Sequence, residues 1–183
     1  DEIITTPITF VSTNHAIMYE NMHPVFADVD EYLCMDPADV ERKITDKTRA
    51  VIFVGYGGRV GQLDKIIKIC EKYNLKLILD AAHMSGTKVN GVCPGTWDGI
   101  DVAVYSYQAV KNLPTGDSGM ICWADEASDE LTKKLAWCGI DKDTYARSNK
   151  GTYSWKYDID YVGYKYNGNA IMAAPPLTQL PYP

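Results

Sequence analysis

Apolar residues along this chain fall into two alternating rhythms. Short unbroken apolar runs are bounded by polar or turn residues, and between them lie stretches where apolar positions recur every three or four residues. Ala50-Val51-Ile52-Phe53-Val54 is the clearest run, with the continuous apolarity of a strand buried on both faces. Ile3-Ile4, residues 24–29, residues 75–79, residues 101–106 and residues 120–123 read as further strands. Helical spacing runs from Thr13 to Glu20 and stops at Asn21. Asp36 followed by Pro37 predicts an N-cap and first helical residue, with a helix to about Ile44. Leu63, Ile66, Ile67, Ile69 and Cys70 line one helical face that closes at Asn74. A last helix is predicted over 129–137. Gly55-Tyr56-Gly57-Gly58 predicts a turn. Pro175, Pro176, Pro181 and Pro183 predict that no helix continues through the C-terminal residues. The strand–helix alternation predicts an α/β fold with a mostly parallel sheet, in which ligands bind beyond the carboxyl ends of the strands.

Composition narrows the picture. A chain of 183 residues is expected to hold one domain and perhaps a piece of a second. After Lys150 the sequence changes character, with Tyr153, Trp155, Tyr157, Tyr161, Tyr164 and Tyr166 crowding a Lys- and Asp-rich stretch. Residues 1–150 are therefore read as one domain and 151–183 as the start of a connection to another. A net charge of -6 argues against nucleic acid as the main partner. No apolar run reaches the length of a membrane span, and no secretory signal is expected. The five cysteines, at 34, 70, 93, 122 and 138, are odd in number and far apart. That spacing predicts neither a disulfide framework nor a zinc site, and it fits a cytoplasmic protein.

Candidate chemistry gathers at two strand ends. Asp80 closes the run Leu75-Lys76-Leu77-Ile78-Leu79, and Ser106 closes the strand that precedes Lys111. Taken singly, each has an ordinary explanation: a helix cap, a loop hydroxyl, a solvated lysine. Together they are what a pyridoxal phosphate site needs. The lysine condenses with the aldehyde, the acid pairs with the pyridine nitrogen, and the serine reaches the phosphate. The small residues in Thr115-Gly116-Asp117-Ser118-Gly119 let backbone approach a ligand. A dinucleotide-binding alternative is disfavoured, because no GxGxxG follows any strand.

Longer segments extend this. Residues 7–13 (Pro-Ile-Thr-Phe-Val-Ser-Thr), 24–30 (Pro-Val-Phe-Ala-Asp-Val-Asp), 79–83 (Leu-Asp-Ala-Ala-His) and 106–113 (Ser-Tyr-Gln-Ala-Val-Lys-Asn-Leu) stand in the order found in one family, as do 163–167 and 171–174. On these segments the chain resembles the DegT/DnrJ/EryC1/StrS sugar aminotransferases, fold type I pyridoxal phosphate enzymes. The resemblance implies a three-layer α/β/α large domain like that of aspartate aminotransferase. It implies that Lys111 holds the cofactor covalently, that Asp80 meets the pyridine nitrogen, and that Ser106 holds the phosphate. Phe10 would stack on the ring and His83 would touch the ring hydroxyl; the blander readings are a core phenylalanine and a core histidine. Lys165 or Asn167 would reach across a homodimer interface to the partner's phosphate.

The implied reaction moves an amino group from an amino acid donor, glutamate, to a nucleotide-linked keto-deoxysugar. Sugar dehydratases of the family carry histidine where Lys111 stands, so that alternative is disfavoured; a cyclitol aminotransferase stays open, as does an inert or regulatory fragment. Family members are longer, with an earlier phosphate-binding loop and a later domain, so the chain reads as a fragment. Its end, Ala173-Ala174-Pro175-Pro176-Leu177, resembles a family helix interrupted by prolines.

Overall fold

The computed structural model describes residues 1–141 and 156–181. The change of composition at residue 150, with Tyr153 and Trp155, lies outside the described residues. Six strands form one sheet in the order β2-β1-β3-β4-β5-β6. They are β1 (Glu2–Thr5), β2 (His23–Phe26), β3 (Thr48–Val54), β4 (Lys76–Asp80), β5 (Val102–Ser106) and β6 (Gly119–Trp123). β1 to β5 pair in parallel, and β6 runs antiparallel to β5. The helices are α1 (Val11–Tyr19), α2 (Pro37–Arg42), α3 (Leu63–Tyr73), α4 (Glu126–Ala136) and α5 (Ala170–Gln179).

Alternating side chains of the inner strands feed two apolar layers. Ile4, Val51, Phe53, Leu77 and Leu79 pack with Leu63, Ile66, Ile67 and Cys70 of α3. Ile3, Ala50 and Ile52 meet Ile17 of α1 on the opposite face. With partners on both sides, the inner strands need no polar face, which is why β3 reads as an unbroken apolar run.

Local chemistry sets the element ends. The Asp36 carboxylate accepts from the Ala38 N–H at 3.0 Å and caps α2, with Pro37 at its first turn. α3 ends where Asn74 takes a left-handed conformation, φ 52°. The Leu75 and Asn74 N–H groups then bond back to the Cys70 and Glu71 carbonyls, and Leu75 turns into the core. Asp125 caps α4 by accepting from the Ser128 N–H at 2.8 Å, so this helix starts three residues before the predicted 129. α1 starts two residues before the predicted Thr13, behind Phe10, which caps it without a side-chain bond.

The C-terminal helix corrects the sequence reading. α5 runs through Pro175 and Pro176, where no helix was expected. Asn169 caps it, accepting from the Met172 N–H at 3.0 Å, and proline's fixed φ is itself helical. The two prolines remove the donors that would bond Ile171 and Met172. α5 buries no residue, so those carbonyls are left to water rather than stranded in a core. Among the described residues, no helix is long and apolar enough to cross a membrane.

Candidate active site

The parallel ladder delivers Asp80 to the carboxyl edge of the sheet. Its Cα pairs with Val54 on one side and Val104 on the other. The ladder continues one step further: the Gly55 N–H donates to the Asp80 carbonyl at 3.0 Å, and the Ala81 N–H to the Val104 carbonyl at 2.8 Å. Gly55 lets the Met84 side chain close in, since a Cβ there would lie 2.1 Å from its sulfur and push it aside. On the next strand Ser106 pairs with Gly119 of β6.

Lys111 rides on the excursion between β5 and β6. Its neck is closed by the Tyr107 N–H on the Ser118 carbonyl and the Thr115 N–H on the Tyr107 carbonyl, both 2.8 Å. Gln108 shapes the tip. Its backbone N–H donates to Ser106 Oγ at 3.4 Å, its Oε1 accepts from the Val110 N–H at 3.1 Å, and its carbonyl accepts from the Lys111 N–H at 2.8 Å. Asn112 Nδ2 donates to the Ser85 carbonyl, tying this loop to the one that follows β4.

Asp80, His83, Ser106, Lys111 and Phe10 line one cavity of about 660 Å³ above the ends of β3, β4 and β5. The blander reading fails for Phe10. Phe10 is 75% exposed at the cavity and is no core phenylalanine. His83 is half-buried; its Nδ1 accepts from the Gly57 N–H at 3.2 Å, which leaves the neutral ring's proton on Nε2. Desolvation, and then the positive field of Lys111, push the His83 pKa below its ordinary value; Asp80 partly opposes them. His83 thus lies within the fields of both Lys111 and Asp80. An amine, a carboxylate, a hydroxyl and an exposed aromatic ring around one apolar-walled space have the chemistry that pyridoxal phosphate requires.

Lys165 and Asn167 stand elsewhere. They lie on the segment that packs against the end of α4, where Lys165 pairs with Trp137. The Lys165 ammonium sits 4.2 Å from the Trp137 ring centre and donates to Asn167 Oδ1, while the Asn167 N–H bonds the Ala136 carbonyl at 3.0 Å. Neither lines the cavity.

Two residues escaped the sequence reading. Thr13 Oγ1 donates to Asp80 Oδ2 at 2.7 Å, and Thr9 Oγ1 lies 2.8 Å from Thr13 Oγ1. Their spacing of four, at the start of a helix that follows a strand end, was the available signal. It does not reveal which carboxylate the pair would meet.

Comparison with known proteins agrees with this architecture. The chain is 37% identical over 182 residues to the spore coat polysaccharide biosynthesis protein SpsC of Bacillus subtilis (strain 168), covering 98% of this chain and 46% of that protein. Its structure is similar to that of the aminotransferase TlmJ from Streptoalloteichus hindustanus, with a TM-score of 0.86 and 32% identity over 99% of this chain and 46% of that one. It is also similar to Helicobacter pylori PseC, an aminotransferase involved in the biosynthesis of pseudoaminic acid, with a TM-score of 0.87 and 27% identity over 98% of this chain and 46% of that one. The chain thus spans about half the length of these relatives. A sequence profile of the DegT/DnrJ/EryC1/StrS aminotransferase family matches residues 1–182, and the chain belongs to that family.

Proposed function

We propose that this chain forms most of the cofactor-binding domain of a pyridoxal phosphate-dependent aminotransferase. In this reading the whole protein moves an amino group from glutamate to the keto group of a nucleotide-linked deoxysugar. The observation that carries the reading is the common cavity lined by Lys111, Asp80 and Ser106. Bound there, the cofactor supplies an electron sink for the carbon that gains or loses the amine.

Each side chain then has a task. Lys111 anchors the cofactor through Nζ and afterwards carries a proton at that same nitrogen. Asp80 holds the protonated pyridine nitrogen. Ser106 donates to the phosphate. Phe10 covers one ring face and shuts out water. His83, neutral and with its proton on Nε2, donates to the ring hydroxyl. Residues 1–150 belong to the cofactor domain, and 151–183 begin the connection to a C-terminal domain. The protein works as a cytoplasmic homodimer, with Lys165 or Asn167 reaching the partner's phosphate. The exposed Tyr164 and Tyr166 rings around them support a surface that is covered in the assembly. The carbohydrate roles in the names of SpsC and PseC support a sugar acceptor.

The test uses the full-length protein. Incubated with pyridoxal phosphate it should turn yellow, and borohydride should fix the cofactor to Lys111. Lys111→Ala should stay colourless and lose transaminase activity by several orders of magnitude. An assay of nucleotide keto-sugars and keto-cyclitols, with glutamate as donor, identifies the acceptor. A protein that never takes up the cofactor would sink the reading.

A further inference from the structure

The Asp80 carboxylate is held entirely by neutral donors. Oδ2 accepts from Thr13 Oγ1 at 2.7 Å, and Oδ1 accepts from the Ala82 N–H at 3.2 Å. Among the described residues no cation forms a salt bridge with Asp80. The Thr13 proton is committed to Asp80, because an ionised carboxylate only accepts. Thr9 must therefore donate in its 2.8 Å contact with Thr13. The result is a directional chain: Thr9 O–H to Thr13 Oγ1, then Thr13 O–H to Asp80 Oδ2. Each bond polarises the next. Thr13 is 8% exposed, which shields the bond in part from solvent.

Neutral donors orient a carboxylate without cancelling its charge. An arginine or lysine in Thr13's place would also fix the geometry, but it would spend the charge on a partner inside the protein. Here the full negative charge stays directed at whatever cation enters the cavity. We propose that Thr13, backed by Thr9, is a positioning residue that sets the Asp80 carboxylate to pair with the protonated ring nitrogen of the cofactor. This rests on the cofactor reading above. A merely structural alternative has the same bond tether α1 to β4 and nothing more.

The two are separated in the full-length protein by Thr13→Val, which keeps the shape and removes the donor, and by Thr13→Ser, which keeps the donor. The readouts are the dissociation constant of pyridoxal phosphate and the ring-nitrogen NMR shift of the 15N-labelled cofactor. Losing one charge-assisted bond predicts about tenfold weaker cofactor binding in Thr13→Val. Its 15N resonance should move toward the unprotonated position, and Thr13→Ser should restore both. Thr9→Val should shift both in the same sense by about two- to threefold, since it removes only the polarising hydroxyl; it carries the test if Thr13→Val fails to fold. An unchanged 15N shift and affinity in Thr13→Val, or in Thr9→Val when that variant alone folds, overturns the inference while leaving the cofactor site standing. Failure of the unsubstituted protein to bind the cofactor overturns the site as well.

Discussion

The sheet and the C-terminal segment are both rich in apolar residues, and they use them in opposite ways. In β3 and β4, Val51, Phe53, Leu77 and Leu79 are wholly buried. In residues 157–180, Ile159 is 67% exposed, Val162 99%, Ile171 84% and Leu177 69%. The difference lies in partners. The inner strands have a neighbour on each edge and a helix layer on each face. Among the described residues, the C-terminal segment packs on the end of α4 and on residues 138–141, Met172 of α5 lies against Gly116, and its outer side is open. The cavity takes its lining from residues 9–117, with none from the C-terminal segment. Asp80 comes from the rigid sheet, and Lys111 comes from a loop whose Gly116 lies against Met172 of α5.

The sharpest test of that contrast is truncation in each region. Phe53→Ala should destabilise the fold by about 3–5 kcal/mol, through lost burial and the cavity left behind. Ile171→Ala should stay within about 0.5 kcal/mol. Urea unfolding measures both, and comparable losses would erase the distinction.

Thiol chemistry should divide the same way. Burial, with Asp101 and Glu71 adding to it, raises the Cys70 thiol from 9.0 to about 12. Three units leave it about a thousandfold less thiolate than an ordinary cysteine. Alkylation followed by mass spectrometry should label exposed Cys138 rapidly and Cys70 only on unfolding. Fast labelling of Cys70 in the folded protein would contradict the packing of α3.

A smaller, local break is available at the join. Gly139 has φ 74°, and a Cβ there would lie 1.7 Å from the Tyr161 carbonyl oxygen. Gly139→Ala should lift residues 157–167 from α4 while leaving the core transition in place. The Tyr164 N–H, which now bonds the Leu135 carbonyl at 2.6 Å, should exchange at least about tenfold faster, equivalent to about 1.4 kcal/mol of lost protection. An unchanged exchange rate would show that the segment is held elsewhere.

The smallest expected effect reads the rim of the cavity, where His83 lies. The folded His83 pKa lies below 6.5, so the unfolded chain takes up the proton first as pH falls. His83 should leave stability unaffected well above pH 6.5 and erode it below, until the folded imidazole itself protonates. His83→Gln should flatten that slope. Lys111→Ala should move the His83 NMR titration upward by removing a positive neighbour; no movement would place the two side chains too far apart to interact.

Much of the fold was legible because its strongest signals are local. α3 spans the predicted Leu63–Tyr73, since five apolar residues on one face and an Asn able to turn left-handed leave little choice. Asp80 and Ser106 were readable as strand ends because a buried parallel strand stays apolar until it meets the rim. The prolines of α5 misled: their cost depends on whether the freed carbonyls reach water, which is a matter of location. Lys165 and Asn167 were readable only through family resemblance, and they stand away from the cavity.

The sequence by itself determined the strand–helix alternation, the buried strands and the residue types available at the sheet's carboxyl edge, because periodicity and capping are properties of neighbouring residues. The tertiary structure decided which of those residues share a cavity, that Thr13 meets a carboxylate 67 positions away, and which apolar side chains are left uncovered. Those outcomes depend on crossover connections that bring distant segments together, and no local pattern encodes the distance between two such segments.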